Sequence, residues 1–286
     1  MKLAFLGLGI MGSRMAIHLI KNDIEIKVWS RSQVSRDQFT YQENVVNSFQ
    51  EAVNAADIVI SMLSKPEAVE DVFFGNEGAL SYMKKEAIWI DCSTVNPSFS
   101  ITSDNQAKKE GMKFIDAPVA GAKPQAEKAE LAFFVGGTLE NLEKVKPLME
   151  IMGAKVIHIG ITGQGSAFKM VVNIMLAQSM AIFSEAVLFG ESMGISKEFL
   201  LNVLPNLVVS APFTKFKAES VRNNEYKVQF PLEWMHKDLH LATQTAFETG
   251  QPLHLANVTK EMYADAVKQG LSRLDFSAIY KSLKEK

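Results

Sequence analysis

The sequence predicts an α/β fold in which a doubly wound parallel sheet is followed by an all-helical domain. Short apolar segments with strand character alternate with helix-like segments as far as residue 160, a pattern typical of parallel sheets with helices on both faces. From Gly163 onward helical patterns dominate, and they are interrupted at glycines and prolines. We therefore expect one domain over residues 1–162 and a second over residues 163–286.

The first predicted strand leads directly into a glycine-rich turn. An apolar run, Leu3-Ala4-Phe5-Leu6, precedes G-L-G-I-M-G at residues 7–12, and a helix-like pattern follows. Strand, glycines and helix in that order form the context of a dinucleotide fingerprint, in which the glycines allow a tight turn, close approach of the pyrophosphate and close packing of the helix. This predicts a Rossmann domain whose pyrophosphate contacts are made by Gly7, Gly9, Ile10, Met11 and Gly12.

The second predicted strand, residues 24–29, ends at Ser30-Arg31-Ser32. A site for NAD usually has an acidic residue here, which accepts hydrogen bonds from the ribose, whereas an arginine can pair with the 2′-phosphate of NADP. Ser30, Arg31 and Ser32 therefore favour NADP(H) over NAD(H) as the cofactor. The alternative is that Arg31 is an ordinary solvated loop residue.

Further strands are predicted at residues 57–63, 87–91, 113–118, 131–137 and 155–160. Ligands of such folds bind outside the carboxyl ends of the strands, so Met62, Leu63, Ser64 and Thr94 are expected to line the nicotinamide half of the cofactor site. After Asp116 the chain carries small residues, Val119, Ala120, Gly121 and Ala122, whose backbone N–H groups could hold a substrate carboxylate. A tight connection without a ligand explains the same residues equally well.

A long apolar helix is predicted from Gly163 through Phe183, and its composition indicates burial on nearly all sides. Lys169 is the only charged residue between Phe168 and Ser184, and lysines are rarely buried without a partner or a function. Asn173 lies four residues later and therefore on the same helix face. Lys169 could donate a proton to a substrate carbonyl, or it could be a lysine whose amine reaches solvent.

Composition and net charge limit the partners, disulfides and metal sites that can be expected. The 286 residues carry a net charge of −2 with 22% charged residues, so we expect no nucleic-acid or membrane partner. The single cysteine, Cys92, excludes an intrachain disulfide and fits a cytoplasmic location. His236 and His240 have a spacing that can bind metal, but no third ligand is evident, so no metal site is expected.

Taken together, these stretches resemble the β-hydroxyacid dehydrogenase family over nearly the whole chain. They stand in family order: G-L-G-I-M-G at 7–12, D-C-S-T at 91–94, D-A-P-V-A-G-A at 116–122, G-Q-G-S-A-F-K-M-V-V-N at 163–173, and K-D-L at 237–239. The branch it is most similar to is that of the NADPH-dependent glyoxylate and succinic semialdehyde reductases. The resemblance implies a homodimer or homotetramer that acts on a small carboxylated aldehyde, keto acid or hydroxy acid.

The resemblance also implies individual roles. It makes Lys169 the general acid/base and Asn173 its partner; it assigns Thr94 and Lys237 to the cofactor and Phe230 and Asp238 to the substrate pocket. Ala120 and Ala122 depart from the family pattern D-A-P-V-S-G-G, which leaves the substrate open. Alternative functions are an imine reductase, an oxidiser of 3-hydroxy acids, and a non-catalytic protein that only binds NADP.

Overall fold

The computed structural model describes residues 1–285, and the chain forms two compact units, Met1–Lys169 and a second unit that begins at Met170. The change between units falls inside one long helix, seven residues after the boundary expected at 162/163. The reason is that the first turn of this helix is hydrogen-bonded to the sheet of the first unit. Each unit is described below by itself.

The first unit is built on one eight-stranded sheet. Its strands are β1 Leu3–Leu6, β2 Ile26–Trp29, β3 Ile58–Ser61, β4 Ile88–Asp91, β5 Lys113–Asp116, β6 Val119–Ala120, β7 Leu131–Gly136 and β8 Gly153–Gly160. Strands β1 to β5 are all parallel and lie in the order β2-β1-β3-β4-β5, which confirms the predicted Rossmann domain.

The sheet continues beyond β5 in a way that the sequence analysis did not predict. Strand β7 is antiparallel to both β5 and β6, and β8 pairs parallel with β7. The predicted doubly wound parallel sheet is confirmed, and the antiparallel strand β7 is an addition that the sequence did not reveal. Only the ten residues 121–130 separate β6 from β7, and a parallel crossover usually needs a dozen or more.

Hydrophobic residues cover both faces of this sheet. On β1, Leu3 and Phe5 belong to one buried cluster, whereas Ala4 and Leu6 belong to another. Successive strand residues point to opposite faces, so the two clusters form the cores on the two sides. The helices of this unit are α1 Gly12–Lys21, α2 Gln33–Asp37, α3 Phe49–Val53, α4 Pro66–Phe73, α5 Ala79–Tyr82, α6 Pro97–Lys109, α7 Lys123–Glu127 and α8 Leu139–Met152.

The described part of the second unit is helical. The long helix α9, Gln164–Ser192, runs from the first unit into the second and is followed by α10 Lys197–Val203, α11 Thr214–Asn223, α12 Leu232–Thr249, α13 His254–Lys268 and α14 Ile279–Lys284, with short 3₁₀ turns at Leu204–Asn206 and Phe276–Ala278. A further 3₁₀ turn, Gln42–Asn44, belongs to the first unit. The main core of the second unit forms around Ala177, Met180, Met235, Leu239 and Tyr263, and a small cluster of Met170, Leu241 and Ala242 lies apart from it.

Helix α9 is less buried than its composition suggested. Phe168, Met175, Ile182 and Phe189 are exposed, and their seven-residue spacing places them on one face. The prediction of burial on nearly all sides is therefore wrong for this face. By length and composition α9 could also cross a membrane, but core helices of soluble proteins meet the same criterion.

Candidate functional site

The predicted cofactor residues of the first unit lie along one edge of the sheet. The register pairs Leu6 with Trp29 and with Ser61, Ser61 with Asp91, and Asp91 with Asp116. Because these strands are parallel, the segments that follow their last residues meet at the same edge. These segments are the glycine turn and residues 30–32, 62–64, 92–94 and 117–122.

The glycine turn has the geometry that a dinucleotide requires. Gly7 has φ +110° and lies so close to the Met62 carbonyl that a side chain would collide with it. A Cβ on Gly12 would lie 2.0 Å from the Gly7 carbonyl oxygen, so Gly12 allows α1 to start directly against the turn. Gly9, in contrast, faces open space. A pyrophosphate can therefore approach the backbone at Gly9, with the exposed Ile10 and the half-buried Met11 beside it.

The start of α1 also suits an anion. Within the described structure, this helix has no side-chain cap at Met11 and no acidic residue in its first turn. The N–H groups of Ser13, Arg14 and Met15 donate to the carbonyls of Gly9 and Met11, so the attraction for phosphate oxygens comes mainly from the positive end of the helix dipole. These observations fit a nicotinamide dinucleotide.

The end of β2 forms a compact polar turn. Ser30 is buried, whereas Arg31 is exposed and lies 3.7 Å from Asp71 of α4. Ser32 caps α2 by accepting a hydrogen bond from the Ser35 N–H. Arg36, which the sequence analysis overlooked, donates from Nη1 to the backbone carbonyls of Ser30 and Arg31. Arg36 thus fixes the turn that presents Arg31, and its only sequence signal is a second arginine five residues after the first.

Buried hydrogen bonds connect the ends of β3 and β4. Asp91 accepts hydrogen bonds from the Ser61 hydroxyl at 2.8 Å and the Ser93 N–H at 3.1 Å, and Trp89 donates to Ser61. Ser93 Oγ in turn accepts the Leu63 N–H at 2.9 Å. The strand ends are therefore locked together before any ligand binds. The predicted cofactor residues at these ends are the half-buried Met62, Leu63 and Thr94 and the exposed Ser64.

The predicted carboxylate-binding loop is partly engaged by the protein itself. Val119 and Ala120 form β6 and pair with β7, and Gly121 adopts φ +116°. The Ala122 N–H donates to Gln125 Oε1 at 3.0 Å. Gln125 thus occupies one of the backbone donors expected to face a substrate.

Asp116, at the end of β5, binds the start of α9. Its two carboxylate oxygens accept the backbone N–H groups of Gly163 and Ser166, both at 2.8 Å. Burial raises the pKa of Asp116 to about 6, although these two hydrogen bonds lower it. Gly136 and Gly165 make room for this contact, because a Cβ on Gly136 would lie 2.4 Å from Asp116 Oδ1 and one on Gly165 would lie 2.4 Å from the Phe134 carbonyl. The sequence analysis quoted Asp116 in a motif but gave it no role.

Lys169 lies on α9, one turn after this anchored start, and is only 8% exposed. Asn173 follows on the same helix face at 1% exposure and donates from Nδ2 to Asp238 Oδ2 at 2.6 Å. Asp238 also pairs with Lys237, with its Oδ1 2.8 Å from Nζ. Among the described residues, Asn173 Oδ1 has no hydrogen-bond partner. The structure therefore brings together Asn173, Lys237 and Asp238, three of the residues singled out in the sequence.

Phe230 lies just before α12 and is held by its backbone. Its N–H donates to Asp275 Oδ2 at 3.1 Å and its carbonyl accepts the Phe276 N–H at 2.9 Å. Asp275 is buried and forms an ion pair with Lys217 at 2.8 Å. The sequence analysis missed this pair, because its members lie 58 residues apart and carry no motif.

No group of three or more His, Cys, Asp or Glu side chains that could hold a metal ion occurs in residues 1–285. His236 and His240 are neighbours on α12, and burial, followed by the charge of His240, lowers the pKa of His236.

Two family models cover almost the whole chain. One, described as the NAD binding domain of 6-phosphogluconate dehydrogenase, matches residues 2–160. The other, described as the NAD-binding region of NADP-dependent 3-hydroxyisobutyrate dehydrogenase, matches residues 163–283. The chain belongs to the β-hydroxyacid dehydrogenase family.

Similar proteins support this membership of the β-hydroxyacid dehydrogenases. The chain is 35% identical to glyoxylate/succinic semialdehyde reductase 2 of Arabidopsis thaliana, covering 99% of this chain and 79% of that protein. It is 31% identical to the NAD-dependent L-serine dehydrogenase of Pseudomonas aeruginosa, covering 98% and 97%. A solved structure of 3-hydroxyisobutyrate dehydrogenase from Mycobacterium tuberculosis with L-serine has a TM-score of 0.88 at 30% identity and covers 99% of both chains.

Membership of this family establishes the coarse activity. The protein is an NAD(P)-dependent oxidoreductase that acts on CH–OH groups of small hydroxy acids. Its cofactor is a nicotinamide dinucleotide.

Proposed function

We propose that this β-hydroxyacid dehydrogenase reduces small carboxylated aldehydes or keto acids, such as glyoxylate or succinic semialdehyde, with NADPH. Arg31 supports NADPH as the cofactor, because it lies in a turn that Arg36 holds by hydrogen bonds to the backbone. None of residues 30–32 is acidic, whereas an NAD site usually has a carboxylate at this point. The similarity to the Arabidopsis reductase supports the substrate class.

The observation that carries the proposal is a lysine at 8% exposure on an apolar helix. When bound, the nicotinamide supplies the hydride that reduces the carbonyl carbon, or accepts it in the oxidation direction. Lys169 donates a proton to the developing alkoxide and takes one from the alcohol in the reverse reaction. The amide oxygen of Asn173 lacks a partner among the described residues, so it is suited to accept a hydrogen bond from a ligand hydroxyl or an ammonium group.

The roles of the surrounding residues follow from their contacts. Asp238 orients the Asn173 amide by accepting from Nδ2, and it also holds Lys237 by an ion pair. We assign Asp238 to the substrate side and Lys237 to the cofactor, with Phe230 as an apolar wall of the substrate site. In the first unit, the backbone donors of residues 119–121 are proposed to bind the substrate carboxylate.

Substitution of Lys169 tests this mechanism. Lys169→Met keeps most of the side-chain volume but removes the ammonium group, so kcat should fall roughly 10²–10⁴-fold while the Kd of NADPH changes little. Lys215→Met makes the same change at an exposed lysine of α11 and serves as the matched control, with turnover and cofactor binding expected to stay close to wild type. Wild-type turnover by Lys169→Met would exclude Lys169 as the acid, whether or not NADPH binds.

The substrate assay must separate the alternatives. Glyoxylate, succinic semialdehyde, a cyclic imine and L-serine are each assayed with NADPH or NADP⁺ and with the NAD equivalents. The proposal expects the highest kcat/KM for a carboxylated aldehyde with NADPH. A preference for imines or for hydroxy-acid oxidation with NAD⁺ would favour the other enzymes, and inactivity with tight NADPH binding would favour a binding protein.

We further propose that the protein is a homodimer or homotetramer. The exposed apolar residues of α9, Phe168, Met175, Ile182 and Phe189, support self-association because monomers rarely expose long apolar stripes. Light scattering of the purified protein should give a multiple of 31.7 kDa. Ile182→Glu should shift it toward the monomer, whereas Glu185→Gln, an exposed change on the same helix, should not. A monomeric wild type would contradict the proposal.

A further inference from the structure

The start of α9 is held by buried side chains from distant parts of the sequence: Asp116 of β5, and Ser100 of α6, whose hydroxyl oxygen lies 2.9 Å from that of Ser166. Asp116 is completely buried at the end of β5, and its two oxygens accept the N–H groups of Gly163 and Ser166. The first N–H groups of a helix have no partner within the helix. Asp116 therefore caps the N-terminus of α9, as a serine or aspartate at the N-cap position does in other helices, although it lies 47 residues before Gly163 in the sequence.

The glycines around this contact are positions at which a side chain would be strained or would collide with the backbone. Gly163 has φ +90°, a conformation that residues with a side chain rarely adopt, so the turn that leads into α9 favours glycine at this position. Gly165 lies so close to the Phe134 carbonyl and the Gly136 N–H that no side chain fits there. The helix start consequently rests directly on the backbone of β7, and the position of α9 along its axis is set by the carboxylate.

Lys169 lies three residues after Ser166, less than one helical turn from the anchored amide. A helix rises 1.5 Å per residue, so Lys169 lies about 4.5 Å along the helix axis from Ser166. A displacement of the helix start at the Asp116 contact therefore displaces Lys169 as well. A misplacement of about 1 Å from a distant change can cost on the order of 10²-fold in rate.

We propose that Asp116 is a positioning residue that sets the location of Lys169 through the first turn of α9. This inference rests on the proposed role of Lys169 as acid/base. Asp116 touches neither substrate nor cofactor in this scheme, because both of its oxygens are used by the helix. It acts only through the lysine.

A double-mutant cycle distinguishes this role from a merely structural one. Asp116→Asn keeps the shape of the side chain but replaces one acceptor oxygen with an NH₂ group, so one of the two hydrogen bonds to the start of α9 is lost. We expect kcat to fall on the order of 10²-fold with little change in the KM for NADPH. In a Lys169→Met background the same change should cause almost no further loss, because coupled residues are not additive.

The matched control is Asp104→Asn, which alters another buried aspartate in the same unit. Asp104 on α6 pairs with Lys108 at 2.6 Å and is not part of the contact with α9. Its kcat should remain within about threefold of wild type, the ordinary context scatter of such changes. An equal fold-loss from Asp116→Asn in both backgrounds would overturn the proposal, since a general structural defect acts whether or not the lysine is present.

Hydrogen exchange of the wild-type protein keeps the test valid even if Asp116→Asn does not fold. The amide protons of Gly163 and Ser166 should be as strongly protected as those of the neighbouring helix interior. If these two amide protons exchange as fast as those of exposed loops, the hydrogen bonds to Asp116 do not hold the helix start, and the inference is refuted. If Lys169→Met alone keeps wild-type turnover, the proposed function fails instead, and the two failures are thereby distinguished.

Discussion

At the scale of single residues, the proposed preference for NADPH depends on one exposed ion pair. Arg31 lies 3.7 Å from Asp71, and both side chains are more than two-thirds exposed. Such a pair is worth little to stability, and a 2′-phosphate would offer Arg31 a more strongly charged partner. If Arg31 binds the 2′-phosphate as proposed, Asp71 competes with NADPH for the same guanidinium group.

This competition gives opposite expectations for two substitutions. Arg31→Ala should weaken NADPH binding by about 1.5–3 kcal/mol, the scale of a hydrogen bond to a charged group, and leave NADH binding nearly unchanged. Asp71→Asn should strengthen NADPH binding by at most about 1 kcal/mol. Titration calorimetry with both cofactors measures these changes. Equal losses for NADPH and NADH in Arg31→Ala would show that this arginine does not contact the 2′-phosphate.

Residue-level prediction succeeds where a backbone requirement is visible in the sequence. The need for glycine at positions 7 and 12 could be predicted because no side chain fits there, and the burial of Lys169 because it is a lone charge on an apolar helix; the catalytic role of Lys169 stays a prediction. Arg36 and the Lys217–Asp275 pair could not, because their partners are distant in sequence or are backbone atoms. Sequence spacing carries information only about contacts made within one element.

At the scale of elements, the burial of Asp116 between β5 and α9 makes stability depend on pH. Burial raises the folded-state pKa of Asp116 from 3.8 to about 6. Its contribution to stability is therefore complete below about pH 4 and is lost as the pH rises through about 6. The full difference of about two pKa units corresponds to about 3 kcal/mol.

Denaturant unfolding at several pH values can measure this contribution. Between pH 4 and pH 7, the free energy of unfolding of the wild type should decline relative to that of Asp116→Asn, which has no titratable group at this position. Other titrating groups act on both proteins alike and cancel in the comparison. Parallel curves for the two proteins would contradict the raised pKa.

Elements were predictable where local periodicity decides them. Strands β1 to β5 and the start of α9 follow from apolar runs bounded by glycine, proline or polar residues. The antiparallel direction of β7 did not follow, because direction is decided by the short connection after β6 and not by the strand's own residues. The exposed face of α9 was missed for a related reason, since composition does not distinguish a buried face from a solvent-exposed apolar one.

At the scale of the whole molecule, one helix is shared by both compact units. Residues 164–169 of α9 belong to the first unit, and the rest of the helix contributes to the core of the second. Helix formation is cooperative, so unfolding of either unit removes support from the other. We therefore expect a single calorimetric transition. Two resolved transitions would show that the units unfold independently.

The buried thiol of Cys92 follows β4, beside the Asp91 hydrogen bonds that lock the strand ends. Burial, followed by the charge of Asp91, raises its pKa well above the usual value, so the native thiol is unreactive toward alkylating reagents. Since the chain has no other cysteine, the rate of its alkylation in the intact protein reports how often this edge of the sheet opens. A bound dinucleotide should slow that labelling, which gives a binding assay that requires neither substrate nor turnover.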